Sequence, residues 1–391
     1  MKISENWLRE WVDPPVATNE LCDQLTSVGL EVQGADRLLV APLDVRVAEV
    51  MSIEPHHAAR NLKVCTVDDG NGAHRVVCGA GNVRVGMRTA YAGPGTKLPD
   101  GTVLATREIR GVVSEGMLCS AQELGLWTSA GSILDLGRDA RVGESTQETL
   151  RLDDRILTLD LTPNRGDCFS LLGVSRELGV LNDLDVTLPR QRAFSLESDA
   201  SKRIQLGSPS ACPRYLGRVI EGVDISNPTP VWLLDRLHRA GLRPINPIVD
   251  VTNYVMMELG QPLHAFDLDA LKEDVCVRTS EVGESLRLLD GEEPDLQVQD
   301  LLICDAGGPV ALAGIMGGER SAVTGSTVGL FLECAYFDPM TIAQTSRRLG
   351  LQTDASTRYE RGVDFNLQHR AEQRATELLL RVVGGRAGPL I

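Results

Sequence analysis

The chain has 391 residues and a formal net charge of −15, and it contains 38 glycines and 19 prolines. This length predicts two to four domains, and the glycine and proline content favours β structure with many turns and short helices. The negative charge argues against a sequence-independent nucleic-acid binder, so contact with RNA requires a local basic patch or a partner. No apolar run reaches membrane-spanning length and the polar N-terminus lacks the features of a signal peptide. We therefore expect a cytoplasmic protein that does not contact a membrane.

The nine cysteines are scattered along the chain. They form no Cys-x-x-Cys pair and have no histidine at ligand spacing, which argues against a zinc site. Their odd number and wide spacing also argue against a disulfide framework. The sequence therefore predicts buried thiols and no metal site.

The first segment of the chain reads as helical. Ser4 is a candidate N-cap for a helix with Trp7, Leu8 and Trp11 on one face, and prolines stop this helix. A second amphipathic helix is predicted over 18–28, with Gly29 as its C-terminal cap.

From about residue 40 the pattern changes to short alternating strands separated by turns. The run Asp68-Asp69-Gly70-Asn71-Gly72 is a strong hairpin signal. Residues 39–150 carry 11 basic and 13 acidic side chains, so this segment is not basic. Several short strands in about 110 residues predict a small closed barrel, with an OB-type barrel favoured over other antiparallel barrels.

The remainder of the chain predicts a mixture of helices and strands. A helix is expected over 169–181, and residues 189–212 are expected to form a linker. The terminal stretch 384–389 is also predicted to be a linker because it is rich in glycine. Further elements are predicted as strands at 215–223, 275–279, 301–304, 310–315 and 328–336, and as helices from Ser226-Asn227-Pro228 to Gly241, at 339–349 and at 366–382.

Several strings resemble the β subunits of bacterial phenylalanyl-tRNA synthetases and occur in the family's order. One such string alone is a weak signal, but the ordered set runs from the first residues to about residue 362 and is specific. The strings begin at Met1 (MKISENWLREWV), Val28 (VGLEV), Gly116 (GMLCS), Thr162 (TPNRGDC), Val249 (VDVTNY), Gly260 (GQPLHAFD), Gly314 (GIMGGE) and Thr353 (TDASTRYERG).

The resemblance implies an α+β multidomain fold. Residues 1–38 and 151–190 are expected to form a split N-terminal mixed domain, with an OB-type tRNA-binding barrel inserted over 39–150. Residues 205–388 are expected to form a mixed α/β editing domain. The implied partners are tRNA(Phe) and an α subunit, which complete a heterotetramer that uses ATP and Mg²⁺. No cofactor is expected in this chain itself.

Two departures from the family pattern limit what is carried over. Where family members have a His-Pro-Asn-Ala-Asp-Lys-Leu-like string, this chain has His56-His57-Ala58-Ala59-Arg60-Asn61-Leu62, so RNA contacts there are not carried over. The family's magnesium-binding, α-subunit-pairing and anticodon-binding modules are also not found in the chain. We therefore do not expect aminoacylation from this chain alone.

Glu333 is the candidate substrate-binding residue with the clearest sequence signal. In the strand pattern around it, Glu333 shares a face with Phe331 and Ala335, and an unpaired carboxylate among apolar neighbours is costly. The resemblance favours a pocket in which Glu333 accepts a hydrogen bond from a substrate hydroxyl. An ionised carboxylate would make this a charge-assisted bond of roughly 1.5–3 kcal/mol. The alternative is an ion pair between Glu333 and Arg347 or Arg358.

The candidate catalytic residues implied by the resemblance are His264, Thr252 and Asn253. A lone histidine is more often structural than catalytic, so His264 orienting an ester or water stands beside a purely structural role. Asp250, Thr252 and Asn253 are also natural N-caps for a helix ending near Leu259, which leaves both interpretations open.

Four small residues complete the candidate substrate site. Gly314, Gly317 and Gly318 are interpreted either as a bulge or turn or as a place where the terminal adenosine of tRNA approaches the backbone. Ala355 either leaves room for an aromatic ring or belongs to ordinary close packing.

The sequence thus supports two hypotheses. The first is a β-subunit segment that binds tRNA and hydrolyses tyrosine wrongly attached to tRNA(Phe). The second is a non-catalytic module that positions tRNA or a partner chain. Hydrolysis of mischarged tRNA distinguishes them.

Overall fold

The computed structural model describes residues 1–38, 43–127 and 131–391. The helices of these residues are short, as the composition predicted. In chain order they are α1 (Glu5–Arg9), α2 (Thr18–Ser27), α3 (Thr146–Thr149), α4 (Leu171–Asn182), α5 (Val231–Arg239), α6 (Pro247–Leu259), α7 (Pro339–Leu349), α8 (Asp354–Arg361) and α9 (Gln368–Val382), with 3₁₀ turns at Pro163–Cys168 and Glu319–Ser321.

The strands are equally short, and the described residues contain more of them than the sequence predicted. They are β1 (Lys2–Ser4), β2 (Leu30–Arg37), β3 (Arg46–Pro55), β4 (Lys63–Asp68), β5 (Ala73–Cys78), β6 (Arg88–Ala92), β7 (Arg107–Ile109), β8 (Val112–Ser114), β9 (Met117–Leu118), β10 (Arg155–Leu161), β11 (Ile204–Leu206), β12 (Arg214–Glu221), β13 (His264–Asp267), β14 (Val275–Thr279), β15 (Leu301–Asp305), β16 (Gly308–Leu312), β17 (Met316–Gly317), β18 (Gly329–Tyr336) and β19 (Arg386–Leu390).

The N-terminal region is built on an antiparallel sheet with the order β1-β10-β2. Ser4 caps α1 as predicted, because its hydroxyl oxygen accepts a hydrogen bond from the Trp7 amide at 3.1 Å. Arg155 pairs opposite Arg37, so the chain leaves this sheet and returns to it at neighbouring points. That arrangement suits an inserted segment between the two strands, although the expected domain boundaries stay a prediction.

The middle of the chain forms a barrel-like sheet with the order β5-β4-β3-β6-β9 and a separate β7–β8 ribbon. The sheet bends back on itself, since the Glu115 amide that follows the ribbon donates to the Arg75 carbonyl of β5 at 2.8 Å. The predicted hairpin at 68–72 joins β4 to β5. Most of the small antiparallel barrel expected from the strand pattern is therefore present.

The 56–62 loop, where the sequence departs from the pattern that it otherwise resembles, packs against the β7–β8 ribbon. The His56 side chain is buried, and its Nδ1 accepts a hydrogen bond from the Ala58 amide at 3.1 Å. Its Nε2 lies 3.0 Å from the Ile109 carbonyl oxygen, and Arg60 is exposed. His56 therefore holds the loop in place and is not available to a ligand.

Two sheets organise the rest of the chain. One is antiparallel with the order β13-β18-β12-β19, and the other has the order β11-β14-β15-β16-β17, in which only β11 and β14 pair in parallel. The four-stranded sheet is covered on both faces. Leu330, Leu332 and Cys334 join a core with α6 and α9, whereas Phe331 and Ala335 join a core with the five-stranded sheet.

Three predictions for this region are wrong. Residues 384–389 are not a linker, because Arg386–Leu390 forms the edge strand β19 and pairs with β12. Residues 189–212 include the strand β11, which pairs with β14. Helix α5 begins at Val231, after Pro230, and not at Ser226-Asn227-Pro228. Each error concerns a strand or a boundary set by contact with distant parts of the chain.

All nine cysteines lie within the described residues and are free, seven of them buried. This agrees with the prediction of buried thiols. In the part of the chain that the structure describes, no helix has both the length and the apolar character needed to span a bilayer.

Candidate functional site

A cavity of about 530 Å³ opens between the four-stranded and five-stranded sheets, beside α6 and the start of α8. Seven of the eight candidate site residues line it. They are Thr252, Asn253, His264, Gly314, Gly317, Glu333 and Ala355. Gly318 is not part of the lining. Residues from five separate stretches of sequence thus meet around one space.

Helix α6 brings Thr252 and Asn253 to the cavity. Its N-cap is Asn246, whose side-chain oxygen accepts hydrogen bonds from the Ile248 and Val249 amides at 3.1 and 3.0 Å. The N-cap role considered for Asp250, Thr252 and Asn253 is therefore wrong, because all three lie inside the helix. Asn246 supplies the stronger signal in the sequence, since Pro247 follows it at the first helical position.

Inside α6, the three polar side chains have different tasks. Thr252 donates its hydroxyl hydrogen to the Val249 carbonyl at 2.8 Å, which leaves its oxygen able to accept a hydrogen bond from the cavity. Asp250 accepts hydrogen bonds from Thr229 at 2.6 Å and from the Ile245 amide at 2.8 Å, and so fixes the preceding loop. Asn253 lines the cavity and is half-buried.

His264 begins β13 and pairs directly opposite Glu333 on β18. Its ring meets Phe266 edge-on, with 4.5 Å between ring centroids. Burial lowers the pKa of His264 to about 4. At neutral pH the imidazole is therefore uncharged, and it offers one hydrogen-bond donor and one acceptor.

Glu333 lies in the middle of β18 and is 4% exposed. Its Oε2 atom is buried without a hydrogen-bond partner among the described residues. Burial raises the pKa of Glu333 to about 8, and the nearby Tyr215 hydroxyl opposes this rise. The side chain is therefore a neutral carboxylic acid at pH 7, and not the carboxylate that a charge-assisted bond requires.

The ion-pair alternative for Glu333 is not found. Arg347 lies 3.7 Å from Glu360, and Arg358 lies 3.0 Å from Asp354. Both arginines considered as partners are thus paired with other carboxylates. A buried acid with an unpaired oxygen is left at the wall of the cavity.

The three glycines differ in their relation to the cavity. A Cβ atom at Gly317 would lie 2.6 Å from His264 Cε1, so only glycine leaves the imidazole in place. Gly314 has φ +67°, a backbone conformation that favours glycine. At Gly318 a Cβ would meet the Val310 carbonyl oxygen at 2.6 Å, which explains that glycine by packing.

Helix α8 was not predicted, although it carries Ala355 and Tyr359 to the cavity. Thr353 and Ser356 form a capping box at its start, a signal present in the sequence. Hydrogen bonds hold the Tyr359 side chain in place. Its hydroxyl donates to the Ala335 carbonyl at 3.1 Å and lies 3.2 Å from Gln261 Nε2.

Other lining residues were missed by sequence reasoning. Val249 and Met256 lie on the same face of α6 as Asn253, at helical spacing. Once the bounds of α6 are known, this spacing identifies Val249 and Met256 as neighbours of Asn253. Leu289, Ile303 and Met316 come from the five-stranded sheet and its loops, and they reach the cavity only through tertiary packing.

One group in the described residues has the spacing of metal ligands, and it lies outside the cavity. It consists of Asp167, Cys168 and Glu177. Arg165 already pairs with Asp167 at 3.1 Å and with Glu177 at 2.8 Å. The guanidinium thus occupies the position that a cation would take.

Comparison with known protein families gives two matches. Residues 211–384 match the family described as "B3/4 domain", and residues 45–145 match the family described as "Putative tRNA binding domain". The first contains every candidate site residue, and the second contains the barrel-like sheet.

Whole-chain relatives agree with these matches. The chain is 48% identical over 390 residues to the phenylalanine–tRNA ligase β subunit of Hahella chejuensis and 50% identical over 391 residues to that of Methylococcus capsulatus. Both alignments cover 100% of this chain and 49% of the relative, so the chain spans about half the length of these curated relatives.

Among solved structures, the chain is similar to an N-terminal fragment of the phenylalanyl-tRNA synthetase β subunit from Pyrococcus horikoshii. The identity is 16%, the TM-score is 0.28, and the match covers 50% of this chain and 62% of that one. This likeness is too low to bear on the site. The sequence relatives decide the assignment, and the chain belongs to the family of phenylalanine–tRNA ligase β subunits.

Proposed function

We propose that this chain hydrolyses tyrosine wrongly attached to tRNA(Phe), as part of a ligase that attaches phenylalanine to that tRNA. The observation that carries the proposal is the buried, unpaired carboxyl of Glu333 on the wall of a largely apolar cavity. Such a pocket accommodates an aromatic ring and offers one polar group to the hydroxyl that distinguishes tyrosine from phenylalanine.

A separate hydrolytic site is useful because the pocket that selects phenylalanine cannot reject tyrosine completely. An apolar pocket rejects an analogue that merely adds a hydroxyl by only about a hundredfold. A site that hydrogen-bonds the hydroxyl selects the wrong product positively. Phenylalanine would leave the Glu333 oxygen unpaired in the cavity, and an unsatisfied buried polar group costs about 1–3 kcal/mol.

The reaction is hydrolysis of an ester. The oxygen of a water molecule bonds to the carbonyl carbon, the bond from that carbon to the ribose oxygen breaks, and one proton of the water passes to the ribose oxygen. We assign Thr252 and Asn253 to positioning the ester and His264 to orienting the ester or the water. With a pKa of about 4, His264 is too weak a base to be assigned proton abstraction at neutral pH.

The division of the chain follows from the same proposal. Residues 39–150 form an OB-type barrel that contacts tRNA, inserted between the two parts of an N-terminal domain at 1–38 and 151–190. Residues 205–388 form the editing domain. An α subunit completes the ligase, which uses ATP and Mg²⁺ in the cytoplasm. Support comes from the two family matches and from the pairing of β2 with β10 on either side of the insertion.

Deacylation of Tyr-tRNA(Phe) tests the proposal, with the α subunit present and Phe-tRNA(Phe) as the competing substrate. We expect hydrolysis above the uncatalysed rate, with a preference for the tyrosyl ester. Hydrolysis no faster than the uncatalysed reaction would contradict the proposal. Retained tRNA affinity without hydrolysis would instead support the non-catalytic, tRNA-positioning role.

A further inference from the structure

Two buried polar atoms near the cavity make no well-aligned hydrogen bond among the described residues, although their side chains are close enough for the Tyr215 hydroxyl to lower the pKa of Glu333. They belong to neighbouring strands. One is Oε2 of Glu333 on β18, and the other is the hydroxyl oxygen of Tyr215 on β12. Buried polar groups are nearly always paired, so two such atoms in one place require an explanation.

Strand pairing places the two side chains on the same face of the sheet. Tyr215 pairs opposite Ala335, which is two residues from Glu333. Successive residues of a strand point to opposite faces, so Ala335 and Glu333 share a face and Tyr215 shares it with them. The diagonal separation of such residues is about 7–8 Å between backbones, within reach of two long side chains.

Other polar groups near Glu333 do not compete for this position. The Tyr359 hydroxyl is already bonded to the Ala335 carbonyl. His264 lies directly opposite Glu333 on the other neighbouring strand, but of these two residues only Tyr215 lowers the pKa of Glu333 through a hydrogen bond. Cys212, before β12, is a buried thiol whose pKa is raised to about 12 by burial, and it therefore stays neutral. Asp354 is exposed at the rim and is paired with Arg358.

Resting on the function proposed above, we infer that Tyr215 is a positioning residue for substrate selection. Its hydroxyl donates to the buried Oε2 of Glu333 and leaves the other carboxyl oxygen to the substrate's phenol. When the substrate is bound, the Tyr215 hydroxyl, the Glu333 carboxyl and the substrate hydroxyl form a continuous chain of hydrogen bonds.

The preference for the tyrosyl ester should therefore depend on pH. A carboxylate accepts a hydrogen bond more strongly than a neutral acid, so the tyrosyl preference rises as Glu333 ionises. The Tyr215 hydroxyl lowers the pKa of Glu333, against the effect of burial. Removing that hydroxyl therefore shifts the rise in preference to higher pH.

The test compares Tyr215→Phe with the unmodified protein, using kcat/KM for Tyr-tRNA(Phe) and Phe-tRNA(Phe) from pH 6 to pH 9 after subtraction of uncatalysed hydrolysis. We expect a loss of tyrosyl preference of about twofold, the lower end of one hydrogen bond, because Tyr215 acts only through Glu333, and a midpoint moved to higher pH. The matched control is Tyr336→Phe on the same strand as Glu333 but on its other face, where the ring contacts Phe365. It should leave both quantities unchanged.

A second measurement does not depend on hydrolysis. Difference infrared titration of the protonated carboxyl group, with Glu333→Gln as the subtraction reference, reports the midpoint of Glu333 directly. Tyr215→Phe should raise that midpoint, and because it removes one oxygen and keeps the buried ring it should still melt cooperatively.

Failure of the proposed hydrolysis and failure of the Tyr215 role give different results. If the unmodified protein hydrolyses neither ester, the proposed function fails, while the infrared midpoint still tests the Tyr215–Glu333 pair. If it prefers the tyrosyl ester but Tyr215→Phe has the same preference and the same midpoint, only the role of Tyr215 is overturned.

Discussion

The buried carboxyl groups on the two faces of the four-stranded sheet differ in whether they have a partner. On the face toward α9, Glu372 is fully buried and its Oε1 lies 2.5 Å from Arg218 Nε. On the face toward the cavity, Glu333 is equally buried, yet its Oε2 has no partner among the described residues. The first acid is paired with a cation of the protein, whereas the second has no cationic partner among the described residues. Burial without a partner, beside a cavity, is what makes Glu333 and not Glu372 the candidate for substrate recognition.

The largest effect expected from this comparison concerns the paired face. Arg218→Met leaves the Glu372 carboxylate buried without its counter-ion, and it should lower the free energy of unfolding by about 3–5 kcal/mol. Urea unfolding measures this. Arg347→Met is the control, since Arg347 is exposed and lies 3.7 Å from its partner, so it should cost no more than about 1 kcal/mol. Equal stability of the two variants would contradict the difference between the faces.

The next effect concerns the placement of His264. Gly317→Ala puts a methyl group against the imidazole and should lower hydrolysis of both esters, by up to about a hundredfold if the ring moves by 1 Å. Selectivity should change little, because Glu333 is untouched. Gly325→Ala serves as the control, since its Cβ would meet nothing within 4 Å. Loss of selectivity with a normal rate would contradict the orienting role of His264.

The pH dependence of stability gives a third test, which concerns Glu333 alone. Because the folded-state pKa of Glu333 is raised from 4.5 to about 8, the folded protein holds a proton that the unfolded chain has lost in this window. Stability due to this group therefore falls as pH rises from 4.5 to 8, by up to about 1.4 kcal/mol per pH unit. Glu333→Gln has no such dependence, so its stability should gain on the parent as pH rises. A constant difference between pH 5 and pH 8 would show that Glu333 is ionised throughout.

Sequence reasoning succeeded where local chemistry determines the structure. Helix α7 was predicted with its observed bounds, since Asp338 caps it, Pro339 begins it and Gly350 ends it with φ +67°. The strand around Glu333 was also predicted, because its alternation and flanking residues are local. The family resemblance then selected the candidate residues that line the cavity.

The features that were missed depend on distant contacts. Strand β19 (Arg386–Leu390) forms by pairing with β12, which is distant in the sequence. No local sequence pattern indicates that partner. The neutral state of Glu333 requires the packing of two sheets and a helix around it, so the sequence suggested a charge-assisted bond. The relation of Tyr215 to Glu333 depends on the register of two strands more than 100 residues apart.

The most direct test of the central claim is the ratio of kcat/KM for Tyr-tRNA(Phe) and Phe-tRNA(Phe) in Glu333→Ala at pH 7. The neutral acid gives an ordinary hydrogen bond of about 0.5–1.5 kcal/mol, so we predict a roughly twofold to tenfold loss of tyrosyl preference. Residual hydrolysis should persist through Thr252, Asn253 and His264, and the variant should still unfold cooperatively. An unchanged preference in a folded Glu333→Ala protein would remove Glu333 from substrate recognition and contradict the account.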